Sequence, residues 1–288
     1  MKPTPCTLFL LLAFAPIGRS ATTFTNPGTG PANNIFVAGN WDNGLPTAAN
    51  PGTISGNATW WPADTAGDGS GSTSAGPNVA TGIDITITSG TLSRVGSFIP
   101  EFTNCTINLQ GGNLSNDGPG GRVFRISGTT VLTVGAGSTF THDPTRGMEL
   151  QDDEAGMPSI VIDGGTLLGG LGSGDDTGVA TSNTEYAFLT FTANGGLASF
   201  EALTWATGVT LPYIDFVSGS TGVLELGNGD QTLYEALWTT GNLRLDGANA
   251  GTFADSFTVS GTQLSLIPEP SIALLGGLGL LSLLLRRR

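Results

Sequence analysis

Ile85-Thr86-Ile87-Thr88-Ser89-Gly90-Thr91-Leu92 returns as Ile107-Asn108-Leu109-Gln110-Gly111-Gly112-Asn113-Leu114, and again as Ile160-Val161-Ile162-Asp163-Gly164-Gly165-Thr166-Leu167. The step from Ile85 to Ile107 is 22 residues and the step from Ile107 to Ile160 is 53. A weaker copy, Leu132-Thr133-Val134-Gly135-Ala136-Gly137-Ser138-Thr139-Phe140, divides the longer step into 25 and 28. In most copies apolar and polar residues alternate, the chain turns at glycine, and an apolar residue restarts the pattern, which reads as strand, corner, strand. One such unit cannot bury its apolar side alone, but stacked copies can. The expected fold is therefore all-β, a right-handed parallel β-solenoid (β-helix) whose body runs over 81–266. A β-sandwich also uses alternating strands and glycine-rich turns, and stands as the alternative.

Beyond the repeats the strand pattern continues over Glu185 to Ala193, Tyr213 to Val217, Gly222 to Leu226, Gly241 to Leu245 and Ser256 to Leu266. Phe200-Glu201-Ala202-Leu203-Thr204-Trp205 resembles Tyr234-Glu235-Ala236-Leu237-Trp238, which suggests a second, looser duplication. Thr232 and Glu235 fit a capping box, so a short helical turn is expected at the second copy. Trp205 and Trp238 are expected in the core. Upstream, residues 21–80 read as an N-terminal cap followed by a Gly/Ser-rich loop over 62–80. Within the cap, Asn34-Ile35-Phe36-Val37 suits a first strand and Asp42-Asn43-Gly44 a tight turn. Trp41, Trp60 and Trp61 suit either an aromatic platform for sugar rings or a plug at the open end of the fold.

The 288 residues carry a net charge of −13. Setting aside Lys2, Arg19, Glu269 and the three terminal arginines leaves five arginines, no lysine and 22 acidic residues, a body of net charge −17. Such a surface repels nucleic acid and anionic lipid. Lys2, the apolar stretch from Leu8 to Ala15 and the small residues Gly18 and Ser20 before Ala21 read as a signal peptide over 1–20, cleaved between Ser20 and Ala21. Cys6 would leave with it, so Cys105 alone remains and no intrachain disulfide can form.

The other end, 267–288, has three parts in order: Pro268-Glu269-Pro270, an uncharged run from Ile272 to Leu285, and Arg286, Arg287 and Arg288. The prolines hold the helix start to about Ser271. A 14-residue helix is about 21 Å long, short of a hydrocarbon core of about 30 Å, so it crosses only with local thinning and with the arginines snorkelling. The run also suits an ordinary tail anchor or a buried core helix. The basic end predicts a cytoplasmic C-terminus. This arrangement resembles the PEP-CTERM sorting signal of Gram-negative bacteria. The resemblance implies an exosortase partner that recognises Pro268, Glu269 and Pro270 in the inner membrane and removes the anchor, delivering the body to the cell surface or the exopolysaccharide matrix. It implies an address and carries no activity.

Sites for chemistry are sparse. Polygalacturonase-like sites combine aspartates with Gly-His-Gly and Arg-x-Lys, whereas this body has no lysine and one histidine, in Thr141-His142-Asp143-Pro144. Asp152-Asp153-Glu154 and Asp175-Asp176 would serve as an acid/base pair only if held about 5 to 9.5 Å apart. A Ser-His-Asp arrangement would need His142, and no Gly-x-Ser-x-Gly elbow is present. Gly67-Asp68-Gly69, Gly174-Asp175-Asp176 and Gly227-Asn228-Gly229-Asp230 offer oxygen ligands of the kind calcium prefers, but none matches a calcium-loop motif, and simple turns explain them. No cofactor and no catalytic or metal-binding residue is expected. The reading is a structural or adhesive surface protein, with a polysaccharide lyase or hydrolase on the same scaffold as the alternative.

Overall fold

In the computed structural model, residues 21–29, 31–60, 77–94, 99–116, 124–142, 148–151, 157–169, 186–201 and 212–268 are described. They form a β-solenoid of about six turns. Two nine-stranded sheets and one four-stranded sheet run along it, and each successive turn adds a strand to a sheet.

The repeated octapeptides stack in register. On the first sheet Ile85 pairs with Ile107, Ile107 with Leu132 and Leu132 with Ile160, all in parallel. On the third sheet Leu92 pairs with Leu114, Leu114 with Phe140 and Phe140 with Leu167. The alternation in sequence becomes alternation in space, because successive side chains of a strand point to opposite faces. Ile85, Ile87, Ile107, Leu109, Leu132, Val134, Ile160 and Ile162 are fully buried, while Thr86, Asn108, Thr133 and Val161 between them face outward and are half-buried. The series extends past the repeats through Leu189, Ile214 and Leu243. Parallel in-register stacking is incompatible with an antiparallel β-sandwich and removes that alternative.

The second sheet is the side that the sequence pattern missed. Its strands, Pro77–Thr81, Ile99–Thr103, Phe124–Ser127 and Met148–Gln151, pair in parallel through registers such as Phe102 with Ile126 and Ile126 with Leu150. Among the described residues four coils thus have three strands rather than the two visible as a repeat. Pro77–Thr81 also corrects the expected loop over 62–80. This stretch has weak strand character alone and is held by pairing with Ile99–Thr103.

The expected N-terminal cap is likewise built into the solenoid. Gly52–Ser55 joins the first sheet and Ala58–Trp60 the third, as the strands that precede Asp84–Ser89 and Thr91–Arg94. Asn34 to Val37 is not a strand. Asn34 makes one isolated bridge to Thr59, and 3-10 turns Pro31–Asn33 and Ala38–Asn40 flank it. Asn40 holds this segment by donating its amide to the Ala32 and Asn34 carbonyls, each at 2.8 Å. Asp42-Asn43-Gly44 forms the expected turn.

Aromatic rings fill the interior at both ends. Trp60 lies 4.0 Å from Phe102 by ring centroids, Phe102 5.7 Å from Phe124, and Phe124 4.9 Å from Phe140. Trp60 and Trp41 are buried, and Trp41 meets Phe24 edge-on at 5.2 Å while donating its indole N–H to the Ile35 carbonyl. They close the N-terminal end and offer no exposed sugar platform; Trp61 lies outside the described residues.

The C-terminal end is closed by two helices and a hairpin. Helix α1 (Gln231–Thr240) is longer than the single turn expected, and its N-cap is Asp230, which accepts from the Leu233 amide at 2.7 Å. Thr232 lies inside the helix and is not its cap. Asp230 wins because a carboxylate in extended backbone meets the free amides of the first turn. Trp238 is buried as expected, Trp205 lies outside the described residues, and Phe200 closes a strand while Tyr234 sits in a helix. The described parts of the two similar stretches therefore differ in structure.

A four-residue helix, α2 (Phe253–Ser256), leads into strands Phe257–Ser260 and Gln263–Leu266, which form an antiparallel hairpin. Gln263–Leu266 pairs antiparallel with Val223–Leu226, so the hairpin covers the last edge of the third sheet. Tyr234 bolts helix to hairpin by donating its hydroxyl to the Thr262 carbonyl at 2.6 Å. Covering a terminal edge prevents further strand pairing by other chains.

Candidate functional site

The described fold begins with strand Thr22–Thr23, one residue after Ala21, and its last strand ends at Leu266. Ala21 and Pro268 are both exposed. Ser20, Glu269, Pro270, Ile272, Leu285, Arg286, Arg287 and Arg288 lie outside the described residues. Among the described residues no helix is long and apolar enough to cross a membrane.

At the C-terminal end a groove of about 570 Å³ opens beside the point where the chain leaves the fold. Its polar wall carries Ser218, Thr221, Asp255 and Ser265, and its apolar side includes Val223 and Leu266. Pro268 forms part of the rim. Nothing in the sequence marks this site, because its residues come from separate stretches, around 218–223, 245, 255–256 and 265–268, that meet only when the hairpin folds back. Ile267 beside it is one of the few large apolar residues left exposed, at 40 %.

The remaining sequence candidates separate into sealed, structural and undescribed groups. His142 points inward and is 1 % exposed, with Phe140 at 5.8 Å. The next coil packs over it so closely that a Cβ at Gly169 would sit 2.3 Å from the imidazole. A ring sealed in this way is part of the core and cannot meet a substrate as a base. Asp143, Asp68, Asp152, Asp153, Glu154, Asp175 and Asp176 lie outside the described residues. Asp230 is spent on capping α1, so Gly227-Asn228-Gly229-Asp230 is a helix-entry turn. Among the described residues no group of three or more His, Cys, Asp or Glu side chains is arranged to hold a metal.

Cys105 is 1 % exposed, and its thiol donates to the Ala80 and Thr103 carbonyls, both at 3.2 Å. Burial pushes its pKa up to about 11, which suppresses the reactive thiolate. It is a packing residue.

Three carboxylates are held below the usual range by hydrogen bonds. Asp163 accepts from Thr192 and from Asn194, Asp246 from Ser218, and Asp42 from the Thr23 amide. Asp163 and Asp246 join neighbouring coils, since Thr192 and Ser218 lie one turn away in the stack. Burial pushes Asp215 in the opposite direction. For a lowered pKa, the folded state releases its proton more readily than the unfolded chain. The three groups therefore contribute stability above their ordinary value of 3.8 that is lost as pH falls below it. The melting temperature is expected to fall as pH drops from about 4 toward 2. Asp163→Asn should make that fall shallower, and an unchanged acid profile would show that these bonds add nothing.

An ion pair joins Arg125 to Glu101 at 3.4 Å across adjacent coils of the second sheet. Arg244 lies 4.0 Å over the Tyr213 ring, its Nε donating to the Gly241 carbonyl at 2.9 Å. Both cations serve the stacking of coils. Compared with known protein families, curated proteins and solved structures, the chain matches none.

Proposed function

We propose that this is an exported β-solenoid protein, sorted through a PEP-CTERM-like signal by an exosortase and acting as a structural or adhesive component of the cell surface or exopolysaccharide matrix. The observation that supports this reading is an agreement of positions among the described residues: the first strand, Thr22–Thr23, lies one residue past the predicted signal cleavage at Ser20–Ala21, and the last, Gln263–Leu266, ends just before Pro268. Residues 1–20 and 267–288 would then be the two export segments, one a signal peptide and the other a short membrane helix with its arginines on the cytoplasmic side.

A stack of parallel coils with covered ends suits a mechanical role, since each added turn buries more apolar surface and presents another outward row of side chains, such as Thr86, Asn108 and Thr133. The acidic body stays soluble while exported.

The mass of the protein recovered from its native host tests the reading. Processing predicts a chain starting at Ala21 and ending near Pro270. A mass that still includes Arg286, Arg287 and Arg288 would make the terminal helix a permanent anchor and end the sorting proposal.

A further inference from the structure

The chain is tied to the fold up to the residue before the sorting motif. Leu266 pairs with Phe257 in the final hairpin, and the Ile267 amide donates to the Ser256 carbonyl at 2.9 Å. Pro268 then lines the groove beside Ser218, Thr221, Asp255 and Ser265. No slack chain separates the folded body from Pro268-Glu269-Pro270. A transpeptidase that closes a cleft on this motif must bring its own surface against the wall of the groove.

The other side is equally short. Only residues 268–271 lie between Ile267 and the apolar run that begins at Ile272. The five residue steps from Ile267 to Ile272 span at most about 18 Å however they fold. While the run is in the membrane, the groove end of the solenoid is therefore held close to the bilayer surface, where a membrane enzyme works.

The geometry points to this groove as a docking surface for the membrane-embedded transpeptidase, so that recognition is shared between the motif and the folded end of the solenoid. The inference rests on the sorting reading above. The hydroxyls of Thr221 and Ser265 offer neutral hydrogen-bonding positions, the Asp255 carboxylate is exposed at the wall, and exposed Ile267 supplies apolar contact. The surface fits a loop of the enzyme with an apolar tip and a basic or amide flank.

Pulse–chase conversion of precursor to mature protein in the native host tests it, using two changes that leave the motif intact. Ser265→Tyr fills the groove with a residue that suits its strand. A six-residue Gly/Ser spacer inserted after Ile267 leaves the groove walls through Ile267 in place, moves only Pro268 from the rim, and uncouples the groove from the motif. Both are expected to slow conversion on the order of tenfold, while Thr53→Tyr at the opposite end leaves it unchanged. Equal rates in all variants would overturn the docking surface and leave sorting intact. Faster conversion with the spacer would mean that the body only obstructs the enzyme, and would overturn it as well. A parent chain that keeps Arg288 would overturn the sorting reading and this inference together.

Discussion

Phe140→Ala is expected to be among the most destabilising single truncations, costing about 3 to 5 kcal/mol. Phe140 is fully buried on the third sheet, 4.9 Å from Phe124 and 5.8 Å from His142 by ring centroids. Its ring continues the aromatic column that starts at Trp60 and passes through Phe102 and Phe124. The backbone around it is fixed by parallel pairing to Leu114 on one side and Leu167 on the other, so the site cannot collapse on the void. For a chain of this size the loss corresponds to a fall of about 10 °C in melting temperature. Phe140→Leu retains much of the volume and should cost less than half as much. Thermal unfolding followed by circular dichroism checks both, and a fall of less than about 3 °C for Phe140→Ala would show that the column does not bear on stability.

The second large effect concerns the glycine corners. Gly90 has φ +72°, and a Cβ there would sit 2.2 Å from the Gly56 carbonyl carbon, which belongs to the backbone of the preceding coil. Backbone cannot rotate away as a side chain can. Gly90→Ala therefore adds the left-handed strain of an L-residue to a displacement of two stacked coils, together about 3 kcal/mol or more. Gly137 occupies a similar corner at φ +74°, but nothing lies within 4 Å of its Cβ position. Gly137→Ala should cost only the strain, about 1 to 2 kcal/mol, and Gly137→Asn less. Denaturant unfolding of the pair separates close approach from conformation. Equal losses would mean that the coils have room to separate at Gly90.

The third side of the coil shows where reading from sequence stops. Asp84–Ser89 and Thr91–Arg94 share one visible repeat because a short glycine corner joins them, so both strands recur at fixed spacing. The stretches Ile99–Thr103, Phe124–Ser127 and Met148–Gln151 share no such pattern. They vary in residue type, and segments of different length separate them from the strands before, which erases the period. Their strand state is set by pairing with the coil above and below. The same holds for Pro77–Thr81, which the sequence alone places in a loop.

The start of helix α1 makes the same point on a smaller scale. Thr232 and Glu235 have the spacing of a capping box, but the chain enters the helix at Gln231 with Asp230 as its cap. Local spacing identified a helix and misplaced its first residue, because the direction from which the Val223–Leu226 strand arrives decides which side chain meets the free amides.

The sequence by itself favoured the solenoid over the sandwich and determined which positions of its two repeated sides correspond and the inward direction of Ile85, Ile107, Leu132 and Ile160. A period of two along a strand sets which side chains share the apolar face, while the parallel pairing that excludes the sandwich is a tertiary fact. Tertiary structure alone decided the third side, the sealing of His142 beneath the coil that carries Gly169, and the groove at Pro268. Each of these depends on which distant stretches come to lie against one another, and that is set by how many residues each corner spends before the chain returns to its stack.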